Sequence, residues 1–504
     1  MNFYITTPIY YTNDIPHIGH AYTTIACDIL ARFNKLSNND VFFLSGTDEH
    51  GQKVEKAAKV AEIDTKIFVD KLSLNFKKLI PFLGCEIDDF IRTTEERHIK
   101  SAQALWNKLI DNDQIYLSTY EGWYSVRDEA FYHENELKKT DGKLVTDNGS
   151  PVEWVKEESY FFKLSNWEKK LIEFYENNPD NISPKSRYNE VLSFIKSGLK
   201  DLSISRTTFK WGVPVPNNNK HVMYVWIDAL CNYLSAIGYP DKNNLNYKKY
   251  WPATHIVGKD ILRFHAVYWP AFLMAAELEP PKKIFAHGWW TNEGQKISKS
   301  LGNVIDPYDI IHDYGLDQIR FFLFREVPFG NDGDFSKKAI SKRVNADLSN
   351  NYGNLIQRIL TFIVKNCNSS LKSTNNFSNQ DNDLLNILNL KFKDYSNYMN
   401  NQQIDKSIKS IMELLSSTNA YVDEQAPWSL KKTDQERMKV VLFLVSIIII
   451  KSTLMLFPII PKSSKKVLSF FNLDTNNLTF DKYDDIIKKD ININVPDPIF
   501  PRID

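Results

Sequence analysis

Asn2-Phe3-Tyr4-Ile5-Thr6-Thr7-Pro8-Ile9-Tyr10-Tyr11, then His17-Ile18-Gly19-His20 opening an apolar-periodic run to Leu36, then Val41-Phe42-Phe43-Leu44-Ser45-Gly46, is the stretch that decides the fold. Residues 2 to 11, 18 to 36 and 41 to 46 read as strand, helix and strand, the opening βαβ unit of a doubly wound parallel sheet. The two histidines then fall at the carboxyl edge of the first strand, where open α/β sheets bind their ligands. Three residues apart, they share one face of the helix's first turn, beside backbone N–H groups with no partner inside the helix. Gly19 between them carries no side chain, so an adenine or ribose can approach the backbone. Far downstream, Lys296-Ile297-Ser298-Lys299-Ser300 places two cations and two hydroxyls on one loop. Such a loop suits the charge that develops on a departing pyrophosphate. Each motif alone is weak, since His-x-x-His at a helix start is more often a capping pair and a Lys/Ser run a solvated loop. Together, in this order, they point to adenylate chemistry on a nucleoside triphosphate.

At 504 residues the chain is long enough for three or four modules around sizeable cores. Its 62 Lys and Arg balance its 62 Asp and Glu, so a polyanion must be met by local clusters. Candidates are Lys337, Lys338, Lys342 and Arg343, which read equally as an exposed helix face. Cys27, Cys85, Cys231 and Cys367 form no Cys-x-x-Cys pair and read as reduced thiols in a cytoplasm. No basic stretch followed by an apolar core opens the chain, so no secretory signal is expected. Val440 to Ile460 is almost wholly apolar and nearly long enough to span a bilayer, but Lys451 lies inside it and Pro458 and Pro461 close it. It reads as the central helix of a bundle, with no membrane partner.

At about Tyr116 the texture changes to aromatic-rich short strands and turns, as expected of a module inserted over residues 116–220. Sheet-like segments resume at His221 to Trp226 and His255 to Val257, so the sheet domain reads as two halves, 1–115 and 221–289. A mixed region with the lysine loop spans 290–344. From 345 to 485 the pattern is helical, an all-α bundle in which the Asn- and Ser-rich stretch Asn366 to Asp383 reads as a loop. The tail, 486–504, closes with Pro496-Asp497-Pro498-Ile499-Phe500-Pro501 and cannot be helical there. By itself it could fray or fold back.

Both motifs stand as they do in class I aminoacyl-tRNA synthetases, and their flanks extend the likeness. Thr7-Pro8-Ile9-Tyr10-Tyr11, Gly46-Thr47-Asp48-Glu49-His50-Gly51, Tyr224-Val225-Trp226-Ile227-Asp228-Ala229-Leu230, Gly258-Lys259-Asp260-Ile261, Phe264-His265, Trp269-Pro270 and His287-Gly288 recur in order over most of the chain. On these the chain resembles the bacterial methionyl-tRNA synthetase family from end to end. The resemblance implies a Rossmann-type nucleotide-binding domain split by a connective-peptide module, then an anticodon-binding helical bundle whose tail packs on the body. It also implies the activity: L-methionine is activated with ATP, Mg²⁺ serving as the phosphate counter-ion, to methionyl-adenylate and pyrophosphate. The methionyl group then passes to the terminal adenosine of tRNA(Met).

Adenylate formation is an in-line attack of a carboxylate on the α-phosphorus, so the site needs charge neutralisation and alignment and no general base. By resemblance, His17 and His20 hold the phosphates, Lys299 with Lys296 binds the β and γ phosphates, and Ser298 and Ser300 shape the loop. Lys259 and Asp260 fall near the adenosine and His287-Gly288 beside the adenine, though each also reads as a turn residue. Asp48 matches the family's anion for the substrate ammonium, and Arg206 the arginine that bridges to it. By residue type alone they read as a helix cap and a surface arginine. Methionine offers only a thioether and methylenes, so its pocket should be apolar and aromatic. The matching residues are Pro8, Ile9, Tyr11, Trp226, Ala229, Leu230, Tyr233, Ile261, His265 and Trp269. Trp226, Ala229, Leu230 and Tyr233 share one helical face, as in any core helix. His265 reads as a donor to sulfur or to Tyr11, or as a satisfied core histidine.

Single-stranded bases are captured by aromatic stacking and by polar side chains on their edges. Trp428 matches the family's anticodon tryptophan, and also reads as a helix-start tryptophan in the core. Asn354 and Arg358 offer polar contacts, while Asn350 stands where some members carry arginine. Many relatives hold zinc in the inserted module, yet Tyr124-Ser125-Val126-Arg127-Asp128 has Ser and Asp at the thiolate positions. No structural zinc is therefore expected, and the module should hold by packing of Trp123, Tyr132, Trp154, Tyr160 and Phe161. The chain stops after the bundle, without the appended domain through which some relatives dimerise, so a monomer is expected. Synthetases for leucine, isoleucine or valine usually carry a larger editing insert, and one for cysteine should show zinc ligands. A simple nucleotidyltransferase lacks the long bundle, and a non-catalytic tRNA-binding relative has no need of intact histidines.

Overall fold

A computed structural model describes the chain except residues 13, 14, 126–129, 133, 141, 297–303, 476, 477 and 504. Seven parallel strands form the central sheet in the order Ile182–Ser183, Lys283–His287, Thr254–Gly258, Asn2–Thr6, Asp40–Asp48, with Tyr10–Tyr11 and Asp89–Arg92 also pairing with Asp40–Asp48. Alternation along these strands sends neighbouring residues to opposite faces. Ile5, Phe43, Ile256 and Phe285 enter one hydrophobic core, while Tyr4, Leu44, Val257 and Ala286 enter a second. Helix Ile18–Leu36 belongs to the first core, which runs on into the C-terminal bundle.

The first strand is not continuous over residues 2 to 11. Thr6 pairs with Leu44 and Tyr10 with Thr47, so four steps on one strand face three on its neighbour. Pro8, which has no N–H to give the ladder, falls in this bulge. The bulge turns Pro8 and Ile9 toward the ligand crevice.

The inserted segment carries an antiparallel sheet in the order Leu202–Ser203, Glu153–Phe162, Ile115–Ser125, Ala130–Tyr132. Trp123 meets Trp154 edge-on at 5.2 Å, Phe161 stacks on Tyr116, and Tyr160 lies edge-on to Trp106. Trp154 is nonetheless more than half exposed. Ser125 ends its strand, and Val126, Arg127 and Asp128 of the stretch weighed for zinc lie outside the described residues. One expectation changes: Ile182–Ser183, inside the 116–220 segment, joins the edge of the central sheet beside Lys283–His287. A two-residue strand shows no period, which is why the segment reads as one module.

The bundle contains helices Asn354–Asn366, Asn379–Asn400, Ile404–Gln425 and Gln435–Leu456. The expected loop at 366–383 is shorter, because Ser378 caps the next helix in a capping box with Asp381. Strand Ser370–Leu371 inside it pairs with Ile491–Asn492 of the tail. Asn345 then clasps Ile503 by both its backbone groups. Helix Gln435–Leu456 has the length and hydropathy to cross a membrane, yet every residue from Val441 to Leu456 is buried inside the bundle. Arg320, fully buried, ties this bundle to the sheet domain. It donates to the carbonyls of Pro458, Ile459 and Leu83 and forms a 2.6 Å ion pair with Asp28 on helix Ile18–Leu36.

Lys451 lies among Phe392, Phe480 and Tyr483, its Nζ 3.8 Å from the nearest ring centroid. Burial pulls its ammonium down from 10.5 to about 8, against a weaker opposing pull from Asp484 and Asp481. Below pH 8 the folded protein bears the full cost of that buried charge; the cost is relieved as pH rises from 8 toward the unfolded value of 10.5. Lys451→Met is expected to stabilise the protein by about 2 kcal/mol at pH 7, cation–π loss included, and by much less at pH 10. Urea unfolding at both pH values checks this.

Candidate active site

His17 caps helix Ile18–Leu36, and the cap is built from the two histidines themselves. The His17 Nδ1 accepts from the Gly19 N–H at 3.1 Å, and the His20 Nδ1 accepts from the His17 N–H at 3.0 Å. Their rings lie 3.9 Å apart. A Cβ at Gly19 would come within 2.9 Å of the His17 ring, so the glycine makes room first for the cap, a use the motif alone does not disclose. Burial pulls His17 below the ordinary imidazole value, and burial with His17 beside it pulls His20 further down. Both rings are neutral at pH 7. With each Nδ1 accepting, the ring proton sits on each Nε2.

Gly46-Thr47-Asp48-Glu49-His50-Gly51 divides its side chains by direction. A Cβ at Gly46 would fall on the Ile91 carbonyl, so glycine allows strand Asp89–Arg92 its close approach. Glu49 is held by Arg92 at 2.6 and 3.0 Å and by Thr47 and Thr94. His50 turns to Asp228 at 2.7 Å. With its neighbours so anchored, Asp48 faces the crevice at the strand's carboxyl end.

Opposite, helix Val225–Leu230 and the turn Asn232–Ser235 present Trp226, Ala229, Leu230 and Tyr233. Trp226 stacks flat on Phe264 at 3.7 Å. His265 donates from Nδ1 to the Ile261 carbonyl at 3.0 Å and accepts at Nε2 from the Tyr233 hydroxyl at 2.7 Å. Burial pushes its pKa to about 4, so it is neutral and both ring nitrogens are engaged, leaving no donor for a sulfur. At the other end, His287 Nδ1 donates to the Gly288 carbonyl and its Nε2 accepts from Thr23 at 2.8 Å. Asp260 and Trp289 close this side, 3.2 Å apart. Together these walls enclose a cavity of about 380 Å³.

The hairpin Trp290–Asn292 with Gln295–Lys296 leads into the lysine loop, whose residues Ser298, Lys299 and Ser300 lie outside the described residues, as does the Lys296 side chain. Just past the loop, the Ile305 carbonyl accepts from the Ile18 N–H at 3.1 Å. The chain that carries the loop is therefore bonded to the start of the histidine helix. Residues 3–360 match the tRNA synthetases class I (M) family, and 372–504 match the anticodon binding domain of methionyl tRNA ligase.

The chain belongs to the methionyl-tRNA synthetase family. It is 52% identical to the methionine–tRNA ligase of Rickettsia felis, over all of this chain and 98% of that one. With the methionine–tRNA ligase of Brucella suis it shares 48%, over 99% and 98% of the two chains. The Mycobacterium tuberculosis methionyl-tRNA synthetase in complex with methionyl-adenylate superposes with a TM-score of 0.96 at 43% identity, covering 99% of this chain and all of that one. The apo form of the M. tuberculosis enzyme gives 0.91 at 40% identity, covering 100% and 98%.

Among the residues singled out by resemblance to the methionyl-tRNA synthetases, Pro8, Ile9, Tyr11, His17, Gly19, His20, Asp48, Trp226, Ala229, Leu230, Tyr233, Asp260, Ile261, His265 and His287 line this one cavity. Four do not. Trp269 is fully buried behind Tyr233, at 6.2 Å between rings. Lys259 is turned to Asp332, 2.6 and 2.7 Å away, and lies 4.3 Å from the Trp289 ring. Gly288 admits the backbone of Asn331 and Asp332, where a Cβ would collide. Arg206 contacts Ser203 and the Ser205 carbonyl, with Glu157 at 3.8 Å. It lies buried between Tyr124 and Tyr224. Lys53, Thr23 and Trp289 line the cavity unforeseen. Trp289 directly follows His287-Gly288 and Lys53 opens the helix after Gly51, so proximity to the motifs was their one signal.

In the bundle, Arg358 lies 5.6 Å from the ring of Trp428, which is 42% exposed, and bonds Asp423 and Asn419. Trp428 is thus not a core residue. Asn354 is exposed one turn before Arg358 on the same helix. Asn350 accepts from Arg502 of the tail at 3.0 Å.

His17, His20, His255, His265 and His287 are all held below the ordinary imidazole value, burial being the main cause for each. In the unfolded chain they protonate near pH 6.5; folded, they resist until lower pH. Stability is therefore full above pH 6.5 and falls as pH drops toward the folded values, at most ~1.4 kcal/mol per histidine per pH unit. The urea midpoint at pH 5 is expected well below that at pH 7.5. An unchanged midpoint would contradict the neutral histidines.

Proposed function

We propose that this cavity carries out both steps of methionine–tRNA ligation: L-methionine and ATP form methionyl-adenylate and pyrophosphate, and the methionyl group then passes to the 3′-terminal adenosine of tRNA(Met), initiator and elongator. The observation that carries the reading is the bond between Ile18 and Ile305, which supports one phosphate site shared by the histidine turn and the lysine loop. ATP comes as its Mg²⁺ complex.

Methionine lies with its ammonium on Asp48 and its side chain against Trp226, Ala229, Leu230 and Tyr233. Its carboxylate attacks the α-phosphorus in line. His17 and His20, neutral with Nε2–H outward, give hydrogen bonds to the phosphate oxygens and leave the charge on the nucleotide. Lys299 and Lys296 draw the β and γ phosphates away as the bond to pyrophosphate breaks. The adenine rests by His287, near Trp289 and Asp260. Tyr233, positioned by His265, bounds the thioether. The anticodon stacks on Trp428, with Arg358 and Asn354 on its base edges. The reading takes the protein as a cytoplasmic monomer, and burial supports helix Gln435–Leu456 as a core helix of the bundle.

Amino-acid-dependent exchange of pyrophosphate into ATP, run with methionine, leucine, isoleucine, valine and cysteine, tests this. Methionine alone is expected to support exchange, and tRNA(Met) alone to be charged; exchange driven by any of the others, or none with methionine, would refute it.

A further inference from the structure

Behind the methionine cavity three side chains from three separate segments meet with no solvent between them. Asp228, on helix Val225–Leu230, takes the His50 Nδ1–H on one oxygen and the His98 Nε2–H on the other, each at 2.7 Å. His98, on helix Glu96–Asp111, is bound at its second nitrogen to the Ser235 hydroxyl at 3.1 Å, whose oxygen also lies 2.9 Å from the Cys231 carbonyl. Asp228 and His98 are fully buried and His50 nearly so. Burial alone would raise the Asp228 carboxyl; the two imidazoles overcome it and hold it at about 2, so it is ionised at any working pH.

A buried charged cluster of this kind adds little to stability that well-packed apolar residues would not, so its geometry is the feature to explain. His50 is two residues from Asp48, at the ammonium end of the cavity. Asp228 adjoins Ala229 and is two residues from Trp226 and Leu230, at the thioether end. The pair His50–Asp228 is therefore a strut between the two ends of the amino-acid site, and His98 braces it from outside.

Resting on the proposed methionine activation, we infer that Asp228 is a positioning residue that sets the distance from the ammonium anchor to the thioether wall, and so the length of side chain accepted. Neither Asp228 nor its two imidazoles lines the cavity, so the effect passes through Asp48 and through Trp226, Ala229 and Leu230.

The test compares wild type, Asp228→Asn, His50→Leu and His50→Asn in pyrophosphate exchange with methionine and with ethionine, which is one methylene longer. An apolar pocket distinguishes one methylene by roughly 10- to 200-fold. Asp228→Asn and His50→Leu are expected to raise the KM for methionine about tenfold and lower the methionine-to-ethionine ratio of kcat/KM about fivefold, with the KM for ATP within about twofold of wild type. His50→Asn keeps an N–H where Nδ1 stood and is expected to restore most of the ratio. A purely structural role would lower the active fraction and leave the ratio and the split between the two KM values unmoved; that result overturns the inference. Should Asp228→Asn fail to fold, the two His50 variants decide it alone. Wild type inactive with methionine would count against the activity itself; wild type active with ratios unchanged in the variants counts against the strut alone.

Discussion

His20→Asn is expected to leave the protein folded and to cut methionine-dependent pyrophosphate exchange by about 10²- to 10³-fold, the loss typical of one donor aimed at developing charge. The asparagine Oδ1 reaches the place of the imidazole Nδ1 and still accepts the His17 N–H, so the cap survives. Nothing then reaches the place of Nε2, and the phosphate loses its donor. His20→Gln does the reverse: its amide N–H reaches the Nε2 position, and activity is expected to return to within about tenfold of wild type while the helix cap weakens by about 1 kcal/mol. Thermal melts and exchange rates for the pair separate cap from donor. If the two variants lose activity equally, the neutral-donor assignment is wrong.

The second large effect is expected at Asp48. Asp48→Asn removes the anion proposed for the substrate ammonium at a site only 8% exposed. Breaking one side of a buried ion pair costs about 3–5 kcal/mol, so the kcat/KM for methionine is expected to fall by about 10²- to 4 × 10³-fold, with the KM for ATP little changed. The analogue lacking the amino group, 4-methylthiobutanoate, supplies the control. It should bind wild type far more weakly than methionine does, and the variant about as weakly as methionine binds the variant. Retained discrimination between the two in the variant would remove Asp48 from this role.

The parts of the fold that local pattern reveals were legible in the amino-acid order. The strand, helix and strand of residues 2 to 48, the stripe of Trp226, Ala229, Leu230 and Tyr233, and the all-round apolar helix Gln435–Leu456 each follow from a period of two or 3.6 residues or its absence. What the residues alone left open is set by distant partners. Lys259 is paired with Asp332, 73 positions on, and Arg206 lies between Tyr124 and Tyr224, contacts that no local period discloses. Ile182–Ser183 is too short to show alternation, and the bulge at Pro8 depends on how its strand meets Asp40–Asp48. His98 carries no motif at all; only folding brings it to Asp228.

Asp28 lies eight residues beyond His20 on the same helix, about 12 Å along its axis. Arg320, fully buried, gives one terminal nitrogen to both Asp28 and the Pro458 carbonyl and its Nε to the Ile459 carbonyl. The histidine turn and the far bundle thus hang on a common lever whose fulcrum is a single guanidinium. The start of helix Ile18–Leu36 and the turn after helix Gln435–Leu456 are thereby fixed to one another through a single side chain.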